Sequence, residues 1–441
     1  MHLPLVLLAY RSSVQESTAC TPALLMLGRE LRTPREMCFG RPPHTPAVPP
    51  GPEYARRLQD RMETAHAFAR DQLQKAGIRQ KRNYDMRAKG RDFNPEDLVW
   101  VFSPKRKKGR CPKLDCHWMS KKLVIVDTDC GIDDAQAILM ALAAPQVQVL
   151  ALTCVFGNAD VNNVCQNVLR VLSVCGKEEV PVFRGSRGPL VGADCPLSDH
   201  FGSDGLGDVF KNKDPQWEQK IQKEHAVSAM IRLVSERPNQ VSLVSLGPLT
   251  NLAMAVRLDP EFPQKLKDLY IMGGNMEGKG NVTLCAEFNF RMDPESAHVV
   301  LEDFLCCTYI ATWEFACRNK LSWDFFDTLM SQDSAAARFM KTVTSQCWAY
   351  SRDALQNKRD VFFGPGFVSY DSYAVAAFID PGLITASQHC PVRVELQGTI
   401  GRGMMALDPT DVLKKAHKVF VFEKCDVEKF GQLMMSSFRQ M

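Results

Sequence analysis

The sequence predicts an α/β fold: an open, mainly parallel sheet with helices on both faces, preceded by a basic segment of a different kind. Three observations predict it. From residue 121 onward, short apolar runs alternate with segments of helical period. The first of these runs ends in four carboxylates within eight residues, DTDCGIDD at 127–134. Charge divides at the same boundary. Residues 1–118 carry 22 basic and 12 acidic side chains, a net of +10, and 119–441 carry 32 and 38, a net of −6.

The elements follow in chain order. Residues 122–127 (KLVIVD) read as a buried strand and 134–143 as a helix. The pattern repeats with a strand at 147–155 and a helix at 161–172. It continues with a strand at 240–246, a helix start at 250–256 and a strand at 269–273. Residues 392–396 and 419–422 read as late strands, with a closing helix over 427–438. Apolar strands separated by helices need cover on both faces, which is the parallel arrangement. Upstream, 42–52 (PPHTPAVPPGP) is a proline-rich linker, and 53–89 reads as a long basic helix. A short strand at 97–102 (DLVWVF) and a basic run at 105–110 complete the first segment.

Composition narrows the class. At 441 residues, 45% hydrophobic and 24% charged, the chain is neither collagen-like, nor fully disordered, nor a disulfide scaffold. The apolar run 3–8 is too short to span a bilayer and lacks the basic flank of a signal peptide. Sixteen cysteines lack paired spacings, which fits reduced thiols and a cytoplasmic location. Cys111, Cys116 and His117 have no second ligand pair at zinc-finger spacing.

The acidic loop carries the chemistry. Ligands in parallel sheets bind beyond the carboxyl ends of strands, where Asp127, Asp129, Asp133 and Asp134 fall. Carboxylates held together repel unless a cation neutralises them, and their oxygens suit Ca²⁺ or Mg²⁺. An EF-hand loop starting at Asp127 fails, because Ile132 and Ile138 stand where glycine and glutamate are needed. A strand followed by DxD also fits an aspartate-nucleophile phosphohydrolase attacking through Asp127, an alternative that leaves Asp133 and Asp134 without a role.

Residues 122–441 resemble the inosine–uridine-preferring nucleoside hydrolases. The motifs that carry the resemblance occur in order: VDTDCGIDDA (126–135), FGN (156–158), SLGPLTNLA (245–253), IMGGN (271–275), NVTLCAEFNFRMDPE (281–295) and YDSYAVAAFIDP (370–381). Cys130 stands where that family usually has proline. The resemblance implies Ca²⁺-dependent hydrolysis of the N-ribosidic bond of a nucleoside, in a homo-oligomer. It implies Asp127, Asp134 and Asp371 as side-chain calcium ligands, with the Thr250 carbonyl adding an oxygen. Asp129 would accept a proton from the attacking water, and Asn158 would orient water or ribose. Asp133 and Asn289 would hold the ribose 2′ and 3′ hydroxyls, Asn281 and Glu287 the 5′-hydroxyl, and Met272 would pack on the sugar. The family's usual leaving-group histidine is replaced by Tyr370. The second candidate acid is His200, in the glycine-rich stretch 197–208, read as a lid.

Residues 3–34 and 80–118 resemble the tail of a Gypsy-like retrotransposon integrase: the end of its catalytic core, a linker helix and half of a small barrel. The two-metal carboxylates of such an enzyme would lie upstream, so this segment is expected to catalyse nothing. Its charge would allow weak nonspecific contact with nucleic acid. The expected division is therefore 1–118 and 122–441. A further alternative is an inactive hydrolase fold serving as a binding protein, against which the intact acidic motifs argue.

Overall fold

The computed structural model describes residues 121–192, 201–210, 215–345 and 358–439, with three isolated positions, 21, 22 and 67. The integrase-like segment lies outside the described residues apart from those three positions, and so does His200. Contacts group the chain into two units, Met1–Gly109 and Arg110–Met441, and the sheet belongs to the second.

Strand β1 (Lys122–Thr128) is buried from Val124 to its end, and the acidic loop leads directly into helix α1 (Ile132–Ala143). Then come β2 (Val147–Cys154), α2 (Val161–Val174), β3 (Val182–Arg184), β4 (Ile221–Gln222) and α3 (Ala226–Glu236). The middle of the fold holds β5 (Val241–Ser245), α4 (Thr250–Leu258), β6 (Asp268–Met272), α5 (Phe288–Met292) and α6 (Pro294–Asp303). Next are β7 (Thr308–Ala311), α7 (Trp313–Arg318), α8 (Trp323–Met330), α9 (Ala335–Thr344), α10 (Lys358–Phe363) and α11 (Tyr370–Ile379). The chain closes with β8 (Ile384–Cys390), β9 (Val392–Val394), β10 (Met405–Leu407), β11 (Val419–Cys425) and α12 (Val427–Arg439).

Nine strands form one sheet in the order β4-β3-β2-β1-β5-β6-β7-β11-β8. All pairings are parallel except that of the edge strand β8 with β11. Beside β1 the order reverses: β2, β3 and β4 extend to one side, β5, β6 and β7 to the other. That reversal opens a crevice at the carboxyl end of β1, the general ligand position in doubly wound sheets. Asp127 stands there, paired in register with Thr153 on β2 and Ser245 on β5.

Alternation along β1 builds both layers. Val124 and Val126 join the core on one face with α1 and α2, while Ile125 joins the other with α3, α4 and α6. Each aliphatic side chain fully buried in this way is worth about 1.5–3 kcal/mol. Helix α1 is buried from Ile132 through Ala141, since it lies between the sheet and helices α9, α11 and α12.

One strand expectation changes, and one strand was not expected. Residues 392–396 fall on β9, which pairs antiparallel with β10 in a separate two-stranded ribbon rather than in the main sheet. The edge strand β8 (ITASQHC) has no apolar run to mark it, because its residues alternate between exposed and half-buried. Among the described residues, no helix is long and apolar enough to cross a membrane.

Candidate active site

The acidic loop folds around its own carboxylates. Thr128 Oγ1 donates to Asp134 Oδ1 at 2.5 Å, and Gly131 N–H donates to Asp134 Oδ2 at 2.9 Å. Asp134 thus caps the helix it begins, where a negative charge is also favoured by the helix dipole. Cys130 has φ 20°, far from a proline's, and its N–H donates to Thr128 Oγ1 at 3.0 Å. Its side chain therefore occupies a place that proline could not take in this backbone. Gly131 has no room for a side chain: a Cβ would lie 2.7 Å from Asn158 Nδ2 and 2.8 Å from the Phe201 ring.

Asp129 is fully buried between two glycines. A Cβ on Gly157 would lie 2.1 Å from its Oδ2, and one on Gly247 would lie 2.8 Å from its Oδ1. Its Oδ2 accepts the Asn158 backbone N–H at 2.7 Å, and Asn158 Nδ2 donates to Asp134 Oδ2 at 3.2 Å. Asn158, expected to orient water or ribose, therefore links Asp129 to Asp134. Asp127 Oδ1 accepts from Thr153 Oγ1 at 2.7 Å and from Asn251 Nδ2 at 2.9 Å. Asp127 Oδ2 and Asp129 Oδ1 are buried without a partner.

Carboxylate oxygens of Asp133, Asp134 and Asp371 lie within 4.8 Å of one another, brought together from the first turns of α1 and α11. Asp133, expected to serve the ribose, thus stands with two of the expected ligands, while Asp127 stands outside that trio. Burial raises Asp127 to about 7 against the pull of its Asn251 and Thr153 hydrogen bonds. Burial and then the charge of Asp134 raise Asp133 to about 8. Asp129 and Asp371 are pushed well above the ordinary carboxylate range, first by burial and then by neighbouring aspartates. No described Lys or Arg forms an ion pair with these five aspartates. Burial, repulsion and partnerless oxygens together fit a hard divalent cation, which oxygen-only donors suit.

The opposite wall is built from β6 and α5. Asn289 Nδ2 donates to the carbonyls of Leu246 at 2.7 Å and Met272 at 3.1 Å. Glu287 caps α5: its Oε1 accepts from Asn289 N–H at 2.9 Å, and its Oε2 from Gly274 N–H at 2.8 Å and Phe290 N–H at 3.2 Å. Burial nevertheless raises Glu287 to about 7. Met272 is buried at the end of β6, and Asn281 is half-buried with a partnerless Oδ1. Thr250, expected to add a backbone carbonyl, has its side chain committed outside the acidic loop. It opens α4, and its hydroxyl donates to Asp293 Oδ2 at 2.6 Å. The backbone of Leu246 also joins the site, with its N–H on the Asp127 carbonyl at 2.8 Å and its own carbonyl on Asn289.

Tyr370 begins α11 immediately before Asp371 and is half-buried. Cys317 Sγ donates to its hydroxyl at 3.8 Å, and the charges of Arg359 and Asp133 also act on the phenol. Burial raises that phenol well above its ordinary value, so it stays protonated. The described part of the glycine-rich stretch is tied down rather than free. Asn167 Nδ2 joins the Asp204 carbonyl at 2.7 Å to the Cys130 carbonyl at 3.0 Å, and Phe201 is buried against Gly131.

Thr153, Leu246, Asn251, Cys317 and Arg359 are site neighbours that sequence reasoning missed. Leu246 and Asn251 do lie within the SLGPLTNLA motif, which was the available signal.

The chain matches known proteins in sequence and in fold. The sequence profile of the family described as inosine-uridine preferring nucleoside hydrolase matches residues 124–432. The inosine-uridine preferring nucleoside hydrolase of Crithidia fasciculata is 33% identical over 325 residues, covering 72% of this chain and 98% of that protein. Uridine nucleosidase 1 of Arabidopsis thaliana is 35% identical over 284 residues, covering 64% and 81%. A solved plant nucleoside hydrolase superposes with a TM-score of 0.66 at 29% identity, covering 72% of this chain and 99% of its own. A solved inosine-guanosine nucleoside hydrolase gives 0.64 at 31% identity, covering 72% and 98%.

Proposed function

The chain belongs to the inosine-uridine preferring nucleoside hydrolase family and is a nucleoside N-ribohydrolase, and we propose that one Ca²⁺ in the acidic crevice supports its reaction. The observation that carries the calcium reading is the pair of buried, partnerless oxygens, Asp127 Oδ2 and Asp129 Oδ1, at the reversal of the sheet. Asp127, Asp134 and Asp371 would hold the ion, with Asp133 beside them. Leu246 is better placed than Thr250 to add a carbonyl, since its backbone bonds to both Asp127 and Asn289. When bound, the cation neutralises the aspartates and makes nearby water more acidic.

The protein's own groups do the rest. Asp129, fixed by the Asn158 N–H, accepts the proton of the attacking water. Asp133 and Asn289 accept from the ribose 2′ and 3′ hydroxyls. The Asn289 amide nitrogen is already occupied by two carbonyls, leaving Oδ1 as the acceptor. Asn281 and Glu287 meet the 5′-hydroxyl, and Met272 packs on the sugar. Breaking the N-ribosidic bond builds positive charge on the sugar, which a carboxylate-lined pocket stabilises. Tyr370 donates a hydrogen bond to the departing base, and His200 is the second candidate for that role. Family membership does not favour the phosphohydrolase or inactive binding-protein readings.

We also infer that residues 1–118 form a separate basic appendage, that the enzyme works in the cytoplasm, and that its hydrolase domains associate with one another. The test of the central reading combines elemental analysis with turnover of a panel of ribonucleosides and phosphate esters. Calcium at one per chain and release of free base support it. Full activity after exhaustive chelation, or turnover of phosphate esters alone, rejects it.

A further inference from the structure

The two oxygens of Asp127 have unlike surroundings. Oδ1 accepts two hydrogen bonds, from Thr153 and Asn251, while Oδ2 is buried with none. The difference traces to Thr153 and to Asn251, and the Asn251 amide is held at both ends. Its Nδ2 donates to Asp127 Oδ1 at 2.9 Å and to the Cys154 carbonyl at 3.0 Å. Its Oδ1 accepts from Ser186 N–H and Ser186 Oγ, both at 2.9 Å.

Only one orientation of that amide satisfies these partners. Turned over, it would set its carbonyl against the Asp127 carboxylate and the Cys154 carbonyl, and its N–H₂ against the Ser186 N–H. Four hydrogen bonds therefore dictate which way the side chain points, and it is completely buried. The slot is also shaped to hold it. A Cβ on Gly185 would lie 2.4 Å from Asn251 Oδ1, 2.5 Å from its Nδ2 and 2.4 Å from the Cys154 carbonyl. The amide thus joins the ends of β1 and β2 to the loop that follows β3, from a helix, α4, that begins one residue earlier.

We propose that Asn251 is a positioning residue for the cation site: by holding Asp127 Oδ1, it presents Oδ2 to the ion and so sets the affinity for metal. Asn251 acts through Asp127 and touches neither ion nor nucleoside. Partners of ligating carboxylates commonly contribute tenfold to a hundredfold to metal affinity. The inference rests on the calcium reading above, and the experiment separates the two.

Full-length protein stripped of metal is titrated with Ca²⁺ by calorimetry, as wild type, Asn251→Ala and Ser186→Ala. Thermal unfolding is followed for each in excess chelator and in excess Ca²⁺. Asn251→Ala is expected to bind Ca²⁺ about tenfold or more weakly. Ser186→Ala removes one bond from the far side of the amide and is expected to lose a smaller factor. The rise in unfolding temperature on adding Ca²⁺ shrinks in both variants. A purely structural role would lower both unfolding temperatures together and leave that rise intact, which overturns the inference. Wild-type affinity in the variants also overturns it. If Asn251→Ala does not fold, Ser186→Ala decides: the Ser186 hydroxyl reaches Asp127 only through Asn251, its other contact being Met254 Sδ at 3.3 Å, so a changed Ca²⁺ affinity supports the inference and wild-type affinity overturns it. Wild type that binds no Ca²⁺ defeats the calcium reading itself.

Discussion

Asn158 holds Asp129 through its backbone rather than its side chain, with the N–H 2.7 Å from Oδ2. Substitution at 158 therefore leaves the orientation of Asp129 in place and removes only the 3.2 Å amide contact with Asp134.

The first prediction follows from that asymmetry. Asp129→Asn is expected to fold and to lower turnover by about a hundredfold or more, the scale of a lost general base. Asn158→Ala is expected to cost less, because Asp129 keeps its backbone donor. Steady-state rates with a ribonucleoside check both, and an Asp129→Asn enzyme at wild-type speed would assign proton transfer elsewhere.

The second concerns pH and metal. Without a cation, Asp127 and Asp133 titrate near 7 and 8, above the unfolded value near 3.9. Between about pH 4 and pH 8 the folded metal-free protein binds more protons than the unfolded chain, so its stability falls as pH rises. Chelated protein is expected to unfold at a lower temperature at pH 8 than at pH 5. Calcium, which favours the ionised carboxylates, should narrow or reverse that difference. Thermal scans at the two pH values, with chelator and with Ca²⁺, measure it.

The third concerns the leaving group. Burial keeps the proton on Tyr370 across neutral pH, and Cys317 Sγ lies 3.8 Å from its hydroxyl. Tyr370→Phe is expected to slow ribonucleosides more than nitrophenyl riboside, whose leaving group needs no proton. Tyr370→His should raise turnover of poor leaving groups selectively. If His200→Ala alone changes that ratio, the acid lies on the glycine-rich stretch. If none of the three does, neither residue supplies the proton.

The fourth concerns the appendage. Strand β1 starts at Lys122, and every described site residue lies beyond it. Deleting residues 1–118 is expected to leave hydrolase activity and unfolding temperature unchanged. Loss of either on truncation would make the first segment part of the enzyme.

The sequence by itself determined the α/β class and the position of the acidic loop, because both are local patterns. The run KLVIVD reads as a strand covered on both faces, and the carboxylates that follow it fall at that strand's end. The family resemblance of the ordered motifs led to the expectation that Asp371, Asn289 and Glu287 serve one site. The tertiary structure alone decided which atoms are committed and which are free. Asp127 gains its second donor from Asn251, 124 residues away, and Glu287 takes two backbone N–H groups on Oε2 but only one on Oε1, which keeps room for a further donor. It also put the Leu246 backbone against Asp127 and the Thr250 hydroxyl on Asp293. The edge position of β8 and the separate β9–β10 ribbon were likewise invisible in local pattern. The physical reason is the same in each case: periodicity records which residues avoid water, whereas hydrogen-bond partners are chosen by strand order and packing between segments far apart in the chain.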